Sequence, residues 1–214
     1  MKLFTCLLLG GSFDWKQPFQ LIKDPSAARS SLLVDVDQTA LKNDKIVELL
    51  ETAQSVGQVG SIATEQDRLK VEMLAQSLIP FSDSKQPARY PLEGVHKLVY
   101  SAAPGASSGK IGPFVGKVSQ FFEDDEIFYN RVEFGPLSIA LRAKREVRNN
   151  DTIKVSFLET AFSLFGKTLK KSQAGGGGVW KVRFVGTYRD GDGKEKLVRI
   201  METPSLFVLE HSLN

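Results

Sequence analysis

The sequence predicts an α+β fold in which a two-helix hairpin packs on an antiparallel β-barrel of about eight strands. Apolar residues recur with helical spacing before residue 80 and alternate with polar residues after residue 91. Clusters of Gly, Asn and Asp separate the alternating runs, as turns do. Because the helices precede the strands, α+β is favoured over α/β. A β-sandwich stays open, since alternation with period 2 is common to both architectures.

The helical spacing predicts an αα-hairpin over residues 39–80. The first helix is predicted over residues 39–55, and the second begins near Thr64, with Asp67 as its capping partner, and ends at Pro80. The expected apolar stripe is Leu41, Ile46, Leu49, Leu50 and Ala53, then Leu69, Val71, Leu74, Ala75 and Leu78. We expect this stripe to pack across the sheet.

Residues 1–38 show no sustained periodicity and contain Pro18 and Pro25, so an extended leader is predicted there. The apolar run at residues 3–9 suits either a targeting remnant or a docking tail. Cys6 is the single cysteine, which excludes an intrachain disulfide and is compatible with a reducing compartment.

The β-barrel is predicted over residues 91–212. Runs with one buried and one wetter face are residues 96–101, 137–144, 153–158 and 180–188. Strands of about eight residues, tilted near 40°, give a barrel ~20 Å tall. A molecule about as long as a bilayer core, ~30 Å, would protrude from it or enter by one end.

Composition excludes several classes of function. The net charge is only +3, and no basic stripe with interleaved aromatic residues is present, which argues against a nucleic-acid partner. The two histidines, His96 and His211, show no metal-ligand spacing, and no serine lies in a nucleophile elbow. We therefore expect neither an enzyme nor a metal site, and no obligatory cofactor.

Three segments carry a family resemblance. The predicted first strand, residues 92–100, has the form Leu-x-Gly-x-x-x-Leu-x-Tyr, with Gly94 at its glycine; Gln120, Tyr129 and Asn130 follow in the next two strands. On these residues the chain resembles the plastid lipid-associated proteins, the plastid fibrillin (PAP-fibrillin) family. The family usually has Trp where this chain has His96, in a Gly-x-Trp element that lipocalins also carry.

The resemblance implies a lipocalin-like barrel whose inward face is the candidate ligand pocket. The pocket candidates are His96, Tyr100, Phe122, Asn130, Phe134, Leu141, Phe157, Trp180, Phe184 and Arg199. A core filled by these side chains would explain them without a ligand, and that alternative stays open. In the hairpin over residues 112–133 and just beyond it, Asn130, Val132 and Phe134 are expected to point inward, and Tyr129, Arg131 and Glu133 outward.

The implied role is non-enzymatic: holding or shuttling a carotenoid, quinone or other hydrophobic lipid as a peripheral protein of the chloroplast, at the thylakoid or plastoglobule surface. The alternative is a scaffold subunit with a filled barrel that docks on a thylakoid protein complex, such as a photosystem or its antenna.

Overall fold

The computed structural model describes residues 25–213, with side chains described from residue 37 onward. The chain divides into two units, residues 1–37 and 38–214, and the packed layers of side chains belong to the second unit. The predicted apolar run at residues 3–9 and Cys6 lie outside the described residues.

Two α-helices precede the strands, α1 at Pro25–Val56 and α2 at Glu65–Leu78. Residues 25–38, expected to be extended, therefore belong to α1. The physical reason is local, because proline is well placed at the first position of a helix and the Ala and Leu residues after it favour helix over extended chain. Short 3₁₀ helices lie at Gly60–Ile62, Ile79–Phe81, Pro87–Arg89 and Gly105–Ser108.

The capping pair predicted for α2 is confirmed. The backbone N–H of Asp67 donates to Oγ1 of Thr64 at 3.1 Å, and that hydroxyl donates to Oδ2 of Asp67 at 2.7 Å. The predicted stripe is buried at most of its positions, but Leu69 is 51% exposed and Leu41 is 43% exposed. Both residues lie at the edge of the apolar face rather than within it.

Eleven strands occur in the described part of the chain, all paired antiparallel. They are β1 Gly94–Ser101, β2 Lys110–Ile111, β3 Phe114–Val115, β4 Lys117–Phe122, β5 Ile127–Phe134, β6 Leu137–Val147, β7 Thr152–Leu164, β8 Lys167–Gln173, β9 Gly177–Arg189, β10 Glu195–Glu202 and β11 Leu206–Ser212. Strands β2 and β3 form a separate small hairpin.

The other nine strands form one sheet, in the order β6-β5-β4-β1-β11-β10-β9-β7-β8. Strand β6 also pairs with β7, so the sheet closes into a ring, and β8 extends from β7 outside it, which leaves eight strands in the ring. The α+β class is thus confirmed, with nine strands in the main sheet instead of about eight.

Apolar side chains pack in two layers, one on each face of the ring. The interior layer comes from inward residues of the strands and from Ala88 and Leu92 of the segment that joins α2 to β1. The outer layer joins both helices to β1, β9, β10 and β11; its helical members are Ile46, Leu49, Leu50, Ala53, Val71, Ala75 and Leu78. The predicted packing of the helical stripe on the sheet is confirmed.

Two β-bulges change the faces of the strands beneath the helices. In β1 the register shifts between Leu98 and Tyr100, so Val99 has no partner on β11. In β9 the extra residue is Arg183, since Met201 pairs with Val182 and the preceding Ile200 pairs with Phe184. Each bulge places two residues opposite one and reverses the alternation that follows it.

A candidate ligand cavity inside the strand ring

The ring encloses a cavity of about 420 Å³. Its wall is mainly apolar and includes Leu98, Val118, Val132, Ile139, Leu141, Phe157, Trp180, Met201, Phe207 and Leu209. The exposed lining residues mark its opening, and these are Ala106 and Ser107 of one 3₁₀ helix, Gly177 and Val179 of β9, and Pro204 in the β10–β11 turn. A volume in the range of about 300–1,000 Å³ with a few polar groups is typical of small-molecule sites.

Two neighbouring strands contribute amide side chains to the cavity wall. Gln120 of β4 is buried, and Asn130 of β5 pairs with it in register. The interior of the ring is therefore not purely hydrocarbon, and an oxygen-bearing part of a ligand would find hydrogen-bonding groups there.

Away from the opening, two arginines lie buried in the interior. Arg199 of β10 is 2% exposed and Arg145 of β6 is 6% exposed. Their guanidinium carbons lie 5.1 Å and 6.0 Å from the ring centroid of Phe122, within the range of cation–π contacts. The Nη2 group of Arg199 donates to Oε1 of Gln120 at 2.9 Å and to the sulfur of Met201 at 2.7 Å.

Burial disfavours the charged forms of both arginines. Removal from water lowers the pKa of Arg199 to about 9, and the nearby Arg145 guanidinium acts in the same direction. Burial likewise lowers the pKa of Arg145. Both groups still carry their charge near neutral pH, so the interior holds two positive charges.

His96 occupies the position where the resembling family has Trp. It is fully buried; its ring stacks on His211 at 4.7 Å and meets Phe122 edge-on at 5.2 Å. Burial, followed by the charge of Arg199 and by His211, lowers the pKa of His96 to about 2. The imidazole is therefore neutral, and it serves as an aromatic member of the packed end of the ring rather than as an acid or base.

The ten pocket candidates fall into four places, of which three lie inside the ring and one is the outer layer. Asn130, Leu141, Phe157 and Trp180 line the cavity. His96, Phe122 and Arg199 lie in the buried cluster just described, and Phe134 packs against the interior layer without lining the cavity. Their contact with a ligand stays a prediction.

The predicted positions of Tyr100 and Phe184 are wrong. Both were expected inside the ring, and both lie in the outer layer beneath the helices. Each follows one of the two bulges, so strict alternation assigns it to the wrong face. Tyr100 packs so closely on Gly60 that a Cβ there would lie 2.4 Å from its ring carbon Cζ.

The residues that carried the family resemblance have distinct positions. Gly94 has a φ of +70° and packs against the ring of His211. Tyr129 points outward, where its hydroxyl donates to Oε2 of Glu123 at 2.9 Å. Asn130 and Val132 face the cavity, whereas Tyr129, Arg131 and Glu133 line a depression on the outer surface, as the alternation predicts.

Sequence reasoning missed Arg145 as a site residue. A signal was present, because Arg145 continues the inward series of Leu137, Ile139, Leu141 and Ala143 along β6. A charge at an inward position is unusual enough to mark a site. Nothing in the spacing predicted that His211 would stack on His96.

Two features are absent from the described residues, a cluster of metal-ligating side chains and a helix able to cross a membrane. No group of three or more His, Cys, Asp or Glu side chains lies close enough to hold a metal ion. Neither α-helix, over the parts described, combines the length and apolarity needed to cross a membrane.

A closed antiparallel ring with an apolar cavity and a helical layer outside defines an α+β protein with a sheltered apolar interior. The sequence model of the PAP_fibrillin family matches residues 43–184, well over half of the chain, and the chain belongs to this family. Members are plastid lipid-associated proteins and in general structural, so membership implies a plastid location and an association with lipid. No curated protein and no solved structure matches the chain.

Proposed function

We propose that this protein is non-enzymatic and holds or shuttles a hydrophobic isoprenoid or lipid, such as a carotenoid or a quinone, at the thylakoid or plastoglobule surface. The ring would act as a lipocalin-like barrel. The observation that carries the proposal is the apolar cavity of about 420 Å³ with an opening at one end. A filled ring would suit the scaffold alternative, so the cavity favours the carrier.

The cavity volume limits how a ligand enters. It lies toward the lower end of the range for small-molecule sites. A carotenoid or a long quinone tail therefore enters by one end, and the remainder stays outside the ring. Such a ligand would be shared between the protein and a lipid phase, which suits a peripheral protein.

The β7–β8 hairpin is the surface that would meet the lipid phase. At its tip Phe165 is 78% exposed and Leu169 is 61% exposed, with Lys167 and Lys170 beside them. Apolar side chains flanked by lysines suit an anionic membrane surface, to which each charge contributes roughly 1 kcal/mol at best.

Fluorescence of Trp180 tests the cavity. The chain has two tryptophans, so a Trp15→Phe variant reports Trp180 alone. We expect saturable quenching on titration with plastoquinone or a carotenoid. Val132→Phe, which adds volume to the cavity wall, should weaken binding, and Arg131→Phe on the opposite face of β5 should not. Absence of saturable quenching while circular dichroism shows a folded protein would refute the proposal.

Vesicle flotation tests the membrane surface. The double change Phe165→Ser with Leu169→Ser should reduce binding to vesicles that contain anionic lipid. Phe114→Ser, an equally exposed phenylalanine on the β2–β3 hairpin, is the matched control. Equal loss in both variants would mean that the β7–β8 hairpin has no special role.

A further inference from the structure

The two buried arginines of the ring interior form no ion pair with a described residue. Arg145 and Arg199 take part in none of the ion pairs found between described residues, although the charge of Asp125 acts on Arg145 from a longer distance. Two like charges removed from water with no carboxylate in contact are unfavourable, and buried charges in proteins are ordinarily paired. Their retention in the ring interior needs a reason other than stability of the empty protein.

Three of their nitrogen atoms also lack hydrogen-bond acceptors. Nε and Nη1 of Arg199 and Nε of Arg145 are buried and have no partner among the described residues. Only Nη2 of Arg199 is engaged, by Gln120 and Met201. The two guanidiniums lie around Phe122 and carry N–H groups without acceptors. Such charged donors bind anionic oxygen groups.

These nitrogens adjoin a small void that leads toward the main cavity. The void has a volume of about 10 Å³ and is lined by both arginines. Gln120 and Trp180 line the void and the cavity of about 420 Å³ alike. A molecule whose apolar body fills the cavity would therefore point its inner end at Gln120 and the guanidiniums behind it.

We propose that the cavity takes a single-chain amphiphile with a carboxylate headgroup, a fatty acid, whose carboxylate binds between Arg145 and Arg199. The void has room for about one water molecule, so either headgroup enters only when a wall side chain moves, and the smaller carboxylate requires less movement than a phosphate group. Displacement of Gln120 or Trp180 by a rotamer change would widen the passage. This inference rests on the proposed lipid-binding function and specifies the ligand's polar end.

Comparing ligands that share one chain length distinguishes the contribution of the headgroup to binding from that of the tail. Dodecanoate has about 14 non-hydrogen atoms, which at about 30 Å³ each, the share of a liquid water molecule, match the cavity. Binding of dodecanoate, dodecanol, methyl dodecanoate and dodecyl phosphate to the Trp15→Phe protein is followed by Trp180 fluorescence. We expect dodecanoate to bind at least about ten-fold tighter than the alcohol and the ester.

Arginine variants identify the groups responsible. Arg199→Met and Arg145→Met should each reduce the preference for dodecanoate over dodecanol several-fold. Arg142→Met is the matched control, because Arg142 lies on β6 with its side chain on the outer face near Glu123. It should keep the full preference.

The outcomes distinguish the two proposals. Equal binding of acid, alcohol and ester would overturn the carboxylate inference and leave the lipid-binding function standing, and tighter binding of dodecyl phosphate would overturn the choice of carboxylate. No binding of any of the four would overturn the carboxylate inference, whereas the lipid-binding function would still be decided by the titration with plastoquinone or a carotenoid. The comparison of ligands on the otherwise unchanged protein decides the question even if an arginine variant fails to fold.

Discussion

The buried neutral imidazole of His96 predicts a loss of stability in mild acid. Its pKa falls from 6.5 to about 2 in the folded protein, because it is buried and near Arg199. As the pH falls below 6.5, the unfolded chain takes up a proton that the folded chain does not, so the free energy of unfolding falls with the pH. Between pH 7.5 and pH 5 this single site is expected to cost about 2 kcal/mol, at 1.36 kcal/mol per pKa unit.

Urea denaturation at the two pH values measures this loss. A His96→Phe variant keeps an aromatic ring against Phe122 and His211 but cannot take up a proton. Carboxylates titrate alike in both proteins, so the difference between their pH dependences isolates His96. We expect the wild type to lose about 2 kcal/mol more than the variant. An equal loss in the two proteins would refute the assignment of a neutral buried imidazole.

Three further changes, and one matched control, test the cap and the packing by urea denaturation. Thr64→Ala removes the α2 cap and should lower the free energy of unfolding by about 1 kcal/mol; no change would mean that the cap is redundant. Tyr100→Phe removes a buried hydroxyl that has no hydrogen-bond partner among the described residues, and should raise the free energy of unfolding by about 1 kcal/mol, whereas a decrease would indicate an acceptor for that hydroxyl. Leu49→Ala, at a fully buried position beneath the helices, should lower it by about 2–5 kcal/mol, whereas Leu41→Ala on the exposed side should change it by less than about 1 kcal/mol.

The regular parts of the fold could be predicted from the sequence because they follow simple periods. The cap at Thr64, the helical stripe and the two faces of β5 all depend on spacing alone. The helix over residues 25–38 was missed because residues 26–31 are small or polar and the four apolar residues that follow are too few to establish a period.

The positions of Tyr100 and Phe184 could not be predicted by counting along the strand. A bulge adds one residue to a strand and reverses every face after it, and nothing in the residues around Val99 or Arg183 signals one. Arg145 is different, since its inward position followed from the same alternation as its neighbours. It was missed because the predicted alternating run ended at residue 144, one position before it.

The two bulges also link the hollow interior to the helices. Without the two bulges, regular alternation would direct the aromatic side chains of Tyr100 and Phe184 into the interior of the strand ring. There they would take up part of the cavity. Turned outward, each is fully buried only because the helices cover it. An aromatic side chain of this kind buries about 150–250 Å². The same two bulges therefore keep these side chains out of the cavity and make the helices necessary to cover them. Without α1 and α2, the strand ring would expose an apolar aromatic surface prone to association with other molecules.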